Sequence, residues 1–204
     1  MNSLVNGYQR FRTTGWPAQK DAFEKLAQSG QSPKTLVLAC VDSRVDPAMI
    51  FDTAPGEVLT VRNVANLVPP YAPDSAHHST SAALEFGVRV LEVKHVMVLG
   101  HGSCGGVKAL LEGAPQQANE FVAPWMSIAE TARLRAMKQA APEDRQHFCE
   151  HEVSRVSLEN LMTFPWIAER VATGKLQLHG AWFAIHSGLL LLRQPDGSFA
   201  PPKQ

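Results

Sequence analysis

The chain has 204 residues, enough for one domain with a sizeable core and too few for a comfortable second. Lysine plus arginine equals aspartate plus glutamate at 19 each, so no net field points to nucleic acid or to an anionic membrane, and the expected partner is a small molecule. No run of about 18 uninterrupted apolar residues occurs, and residues 1–30 carry Lys, Asp and Glu without an apolar stretch; neither a spanning helix nor a signal peptide is expected, and the expected location is cytoplasmic.

Helical spacing over residues 18–27, stopped by Ser29 and Gly30, makes 1–30 an N-terminal helical arm on a single domain spanning 1–204. After Pro33 comes TLVLACV, a continuous apolar run of the buried-strand type that ends near Cys40. A short helix over 47–51 precedes the strand EVLTV and the proline-bearing loop RNVANLVPPYAPD. Residues 79–91 form a helix with Ala83, Phe86, Val90 and Leu91 near helical spacing, and 94–99 form a third strand. Beyond Gly113 the pattern is helical over 120–140 and again after Pro142, with an interruption near Pro165; KLQLHGAWFAI and GLLLLRQ are the last strands. There is no internal repeat, low-complexity tract or linker. Strand and helix alternate, so the expected fold is α/β: a single domain with a mostly parallel four- to five-stranded sheet flanked by helices, its ligand at the carboxyl ends of the strands.

Two of those ends hold the chemistry. VMVLGHGSCGG reads first as the glycine pattern of a dinucleotide-binding turn, Gly100, Gly102 and Gly105. That fingerprint needs a second strand closed by an acidic residue about 20 positions on. Here Glu120 opens a helical stretch and EGAPQQAN breaks the unit, so the reading fails. The same turn also carries His101-x-x-Cys104, and Cys40 ends the neighbouring strand. Two thiolates and one imidazole match the soft-to-borderline preference of Zn²⁺ and leave a fourth tetrahedral position open, as catalytic sites require. In this reading Gly102, Gly105 and Gly106 let the backbone turn tightly around the ion and let the following helix approach. Three cysteines are too few for a disulfide framework and suit this role or core packing. Asp42 and Arg44 follow Cys40 at alternate positions, so in an extended stretch all three share a side; an Arg fork can hold the carboxylate off the metal.

A competing metal motif, HFCEH over 147–151, has the letters of an inverted zincin. Cys149, Val153 and Val156 make the apolar stripe of that helix, which puts His147 and His151 off the buried face as solvated histidines and Cys149 in the core. His77 and His78 open a helix from a polar loop, His179 and His186 have no evident partner, and Trp125, Trp166 and Trp182 read as packing residues.

ACVDSRVDP together with GHGSCGG resembles the β-class carbonic anhydrases, whose motifs are Cys-x-Asp-x-Arg and His-x-x-Cys. The similarity runs on through GQSPK, PGEVLTVRNVANLVPP and SLENLMTFPWI, from about Gln31 to Leu190. The resemblance implies one Zn²⁺ per chain on Cys40, His101 and Cys104, with Asp42 and Arg44 as the catalytic pair. It implies reversible hydration of CO2 to bicarbonate and a proton by attack of zinc-bound hydroxide, in a homodimer or a dimer-based tetramer. Alternatives on the same scaffold are a carbon disulfide or carbonyl sulfide hydrolase and a zinc protein without catalysis. The plant-type subclass is matched by Gln31, Leu59, Val64, Phe86 and Gly105 as substrate-binding positions, Gln31 reaching across the dimer interface, although a Tyr is usual where Phe86 stands. A bicarbonate-regulated subclass uses Trp, Arg and Tyr where this chain has Val37, Arg62 and Phe183, so only the Arg is kept.

Overall fold

The computed structural model describes residues 1–203. Helices α1 (Asn2–Arg10) and α2 (Trp16–Ser29), joined by a π-helical turn over Phe11–Gly15, form an arm in which no residue is buried; Trp16 stacks on Phe23 at 5.2 Å. Strand β1 (Thr35–Cys40) leads through α3 (Pro47–Ile50) to β2 (Val58–Asn63), and α4 (Ser79–Glu85) leads to β3 (His95–His101). Helices α5 (Gly105–Glu112), α6 (Val122–Met126), α7 (Glu130–Gln139), α8 (Arg145–Leu161) and α9 (Pro165–Ala172) precede β4 (Gln177–Ala184), β5 (Leu189–Arg193) and β6 (Phe199–Ala200).

The sheet order is β2-β1-β3-β4-β5-β6, parallel from β2 to β4 and antiparallel beyond. It has six strands because the turn at 195–198 returns two residues, Phe199 and Ala200, to pair with β5. A pairing of two residues leaves no period for sequence to display. β1 has parallel neighbours on both edges and is buried on both faces, which explains its unbroken apolar run. Leu36 and Leu38 pack with Val96, Val98, Phe164 and Ile167 on one face; Val37 and Ala39 pack with Leu99 and Ala181 on the other.

Two helical expectations are corrected. The stretch 120–140 is not one helix: α6 and α7 are separated by a 3₁₀ turn over Ser127–Ala129, and Pro124 sits near the start of α6. In the helix that begins at Ser79, the buried residues are Thr80, Leu84, Gly87 and Val88, whereas Phe86 and Val90 stay 44% and 63% exposed. Gly87 is needed for that face: a Cβ there would lie 2.6 Å from Leu36 and 3.0 Å from Leu59.

After β2 the chain makes a distorted 3₁₀ turn over Val64–Asn66 and passes through the interior as far as Val68 before it emerges ahead of α4. Ala65 and Asn66, both buried, take left-handed conformations with φ of 61° and 46°. Their backbone is paired by side chains instead of a ladder. Asn63 bonds both polar groups of Leu67 (2.9 and 2.7 Å), and α8 contributes Ser157, which accepts from Val68 N (3.1 Å) and donates to Asn66 O (2.9 Å), and Asn160, which donates to Val68 O (2.8 Å). Ser157→Ala would leave a buried donor and acceptor unpaired, so we expect a loss of about 1–3 kcal/mol. The measurement is a lowered urea midpoint at constant slope; a midpoint equal to wild type would contradict this account of the segment.

Candidate metal centre

The chain visits β1, then β2 on one side, then returns to place β3 on the other, so the order reverses at the carboxyl ends of β1 and β3. Cys40 is the last residue of β1 and His101 the last of β3, and Cys104 caps α5 three residues on. Their ligand atoms lie within 4.8 Å of one another, and the residues are 4%, 1% and 1% exposed. An apolar cluster that includes Val45, Ala65, Leu67, Val107 and Met126 encloses both sulfurs.

The imidazole is presented in one tautomer. Nδ1 lies 2.9 Å from Gly102 O and donates to it, leaving Nε2 buried with no partner among the described residues. Buried polar atoms are otherwise nearly always paired. A free imidazole lone pair facing two sulfurs fits a thiophilic divalent cation, since Zn–S of about 2.3 Å and Zn–N of about 2.0 Å bring three ligands into a group of this size. In the metal-free pair, Cys40 is held well below the usual thiol value, first by the hydrogen bond from Cys104, and Cys104 is pushed far above it by the same bond. Of the two thiols, Cys40 is therefore the easier to ionise. Burial opposes the charged form of His101, but its contacts with Cys40 and Gly102 outweigh that and raise its pKa.

Asp42 and Arg44 meet as a fork: Arg44 Nε donates to Asp42 Oδ1 (2.9 Å) and Nη2 to Oδ2 (2.7 Å), with the Arg44 amide on Oδ1 as well (3.0 Å). The guanidinium holds the Asp42 carboxyl far below the ordinary carboxylate range. Arg44 Nη2 also reaches Ser103 O at 3.2 Å, tying the fork to the His101–Cys104 turn.

Arg62 has a place that its sequence position did not signal. Nε donates to Cys40 O (2.9 Å), Nη2 to Asp42 O (2.6 Å) and Nη1 to Asp46 Oδ2 (3.0 Å), while Asp46 Oδ1 caps α3 through Ala48 N (2.9 Å). It braces the loop that carries Cys40, Asp42 and Arg44. The one available hint was a charged residue within the strand VLTVRN.

The glycine reading of the turn is corrected in part: close approach holds at Gly106 on α5, whereas the tight turn does not rest on glycine. The left-handed residue is Ser103 (φ 56°), and no glycine between 100 and 106 has positive φ. Gly100, Gly102 and Gly106 serve close approach: a Cβ would meet Ser154 Oγ at 2.6 Å, Trp182 at 3.1 Å and Val64 at 2.8 Å, respectively. Gly105 faces open space. The histidines of HFCEH are also corrected. His147 is exposed, but His151 is half-buried, stacked on Phe199 (4.1 Å), with both rings edge-on to Trp182. Aromatic packing, not solvation, accounts for His151. His179 has a partner after all, His95, at 3.1 Å, and Cys149 is fully buried.

The substrate-binding positions fall into two groups. Val64 and Gly105 lie beside the triad, Val64 against Gly106. Gln31 precedes the opposite end of β1, a strand whose six residues span about 20 Å. Leu59 pairs with Leu36 whereas Cys40 pairs with Asn63, so Leu59 is about 13 Å back along the strand direction. Phe86 is next to Gly87, which packs on Leu59. One chain does not bring Gln31, Leu59 and Phe86 to its own Cys40.

The sequence profile of the carbonic anhydrase family matches residues 35–190. "Beta carbonic anhydrase 3" of Arabidopsis thaliana is 37% identical over 97% of this chain and 78% of its own length. Among solved structures, the β-carbonic anhydrase CcaA has a TM-score of 0.92 at 33% identity and covers 99% of both chains. A β-carbonic anhydrase from a report on two tetrameric enzymes of the filamentous ascomycete Sordaria macrospora has a TM-score of 0.81 at 27% identity, covering 94% of this chain and 95% of that one. The chain belongs to the β-class carbonic anhydrase family.

Zinc has to displace the proton that the sulfur pair retains, so its affinity should rise with pH, by about tenfold per unit for each proton released. We expect a slope of at least one proton by chelator competition between about pH 6 and pH 8, steepening at the acid end as His101 also gives one up. A pH-independent affinity would contradict the retained proton.

Proposed function

We propose that the protein catalyses the reversible hydration of CO2 to bicarbonate and a proton, with one Zn²⁺ per chain on Cys40, His101 and Cys104. The observation that carries the reading is the Arg44 fork on Asp42 beside a buried Cys-His-Cys set whose imidazole Nε2 has no partner. A Zn²⁺ ion held there supplies the Lewis acidity that makes water nucleophilic near neutral pH.

The residues supply orientation. Asp42 Oδ1 accepts from both the side chain and the amide of Arg44, and Oδ2 from Nη2 alone, so Oδ2 keeps an acceptor direction for a water hydrogen. With its pKa held far down, Asp42 orients that hydrogen and does not store the proton, which passes on to solvent or buffer. Arg44 also keeps the carboxylate from swinging toward the sulfurs, where it would compete as a ligand. Val64 offers an apolar wall for a nonpolar substrate.

A second copy of the chain completes the site with Gln31, Leu59 and Phe86, in a homodimer or a dimer-based tetramer. Support comes from the separation of those residues from Cys40 within one chain. Exposed Phe86 and Val90 add to it, as does an arm that leaves Leu4, Val5, Tyr8 and Phe11 outside the core. The Sordaria relative is described as tetrameric. The subclass we propose is the plant type: each side-chain nitrogen of Arg62 donates to Cys40, Asp42 or Asp46, and the side chains of Val37 and Phe183 carry no hydrogen-bonding groups that could join it in holding a regulatory bicarbonate. No helix is long and apolar enough to cross a membrane. Three free cysteines suit a reducing compartment, and the cytoplasm is the one we propose. Hydration is preferred to carbon disulfide or carbonyl sulfide hydrolysis and to a stapling metal because relatives matched over most of their length are carbonic anhydrases.

Stopped-flow CO2 hydration with the zinc-loaded protein tests the reading. Arg44→Ala should keep its zinc and lose activity by about a hundredfold or more. Arg44→Lys should recover little, since an ammonium lacks the planar fork. No hydration by the wild-type protein, or turnover of Arg44→Ala near the wild-type rate, would refute it.

A further inference from the structure

The segment HFCEH holds one residue with no part in the account so far. Glu150 is 3% exposed, and carboxyl groups are seldom buried without partners that justify it. Its partners are three neutral N–H donors. Oε1 accepts from the Cys104 amide (3.1 Å) and from Gln146 Nε2 (2.8 Å), and Oε2 accepts from the Trp182 indole (3.3 Å). Gln146, one turn earlier on α8, donates in addition to Cys104 O (3.1 Å). Both backbone polar groups of a metal-ligating cysteine are thus clasped from the same helix, 46 residues away in sequence.

The turn has reason to need the clasp. Between His101 and Cys104 it passes through Ser103 in a left-handed conformation that a side chain disfavours. Gly102 and Gly100 rest on Trp182, where a Cβ would stand 3.1 and 3.5 Å from the indole. Trp182 therefore seats the His101 side of the turn, Glu150 anchors the Cys104 side, and the indole N–H joins the two.

We propose that Glu150 is a positioning residue of the metal centre: by binding the Cys104 amide and the Trp182 indole to one carboxylate, it fixes the direction of the Cys104 sulfur relative to His101 Nε2. Apolar packing at this position would fill the space and leave the Cys104 amide buried without an acceptor. The inference rests on the assignment of Cys40, His101 and Cys104 as zinc ligands.

The experiment compares Glu150→Leu with Glu150→Gln. Both remove the carboxyl group, but the glutamine oxygen can still accept from Cys104, while its NH2 faces the Trp182 indole donor and cannot replace that bond. Zinc affinity is measured by chelator competition, and the Co²⁺-substituted proteins give the thiolate charge-transfer and d–d bands. Losing a group that hydrogen-bonds a metal ligand typically costs about 10–100-fold in affinity. We expect Glu150→Leu to fall by that factor with altered cobalt bands, and Glu150→Gln to recover the part of the loss that the Cys104 bond carries, since the bond to Trp182 is gone in both. Wild-type affinity and spectrum in Glu150→Leu, or a fall in Glu150→Gln as deep as in Glu150→Leu, would overturn the proposal. Should Glu150→Leu not fold, Gln146→Leu takes its place. It removes the clasp on Cys104 O and should weaken zinc by about 10-fold, and an unchanged affinity there counts against the proposal. A wild-type protein that binds no zinc would defeat the ligand assignment itself, which is a separate result.

Discussion

Two sulfurs and an imidazole nitrogen within 4.8 Å of one another, enclosed by apolar side chains, cannot all take their metal-binding forms unless a cation stands among them. A second buried thiolate beside the first would meet both desolvation and like-charge repulsion, and the hydrogen bond between the sulfurs lowers the pKa of Cys40 while raising that of Cys104. Much of the surrounding structure follows from holding that unfavourable arrangement in readiness. The strand ends fix where Cys40 and His101 stand, α5 starts at Cys104, and Gly102 O selects the imidazole tautomer.

The supporting layer is built from contacts that cross the fold. Arg62 on β2 holds the carbonyls of Cys40 and Asp42, Glu150 and Gln146 on α8 hold Cys104, and Ser157 and Asn160 on the same helix hold the left-handed passage next to Val64. Helix α8 thus has two jobs along its length: Cys149, Val153 and Val156 bury an apolar stripe, while its polar residues satisfy backbone that no strand or helix satisfies. A strained turn and an irregular buried segment are stable here because each strained residue is flanked by such a bond.

What sequence reveals and what it hides divide along the same line. β1 was legible because a strand buried on both faces must be apolar throughout, and the site was legible because cysteines and a histidine at strand ends have few other uses. The pairing of Arg44 with Asp42 was expected from alternation in an extended stretch, but it is made across a turn, in which the Val45 amide donates to Asp42 O and the Arg44 amide to Asp42 Oδ1. Arg62 and Glu150 were not legible, since the site residues they hold, Cys40 and Asp42 for one and Cys104 for the other, lie 20 or more residues away and no local period marks them. His151 looked solvated because the helix pattern could not show that Trp182 and Phe199, from two strands, would cover it. The glycines of the turn and the need for close approach were visible, but the neighbours, Ser154, Trp182 and Val64, were not, and the strained position is a serine.

The buried donor set is tested most directly by X-ray absorption at the zinc edge on the purified protein. The account predicts a full complement of zinc whose nearest shell is two sulfurs at about 2.3 Å with two lighter atoms at about 2.0–2.1 Å. A shell of nitrogen and oxygen alone, one with three or four sulfurs, or protein that carries no zinc would contradict it.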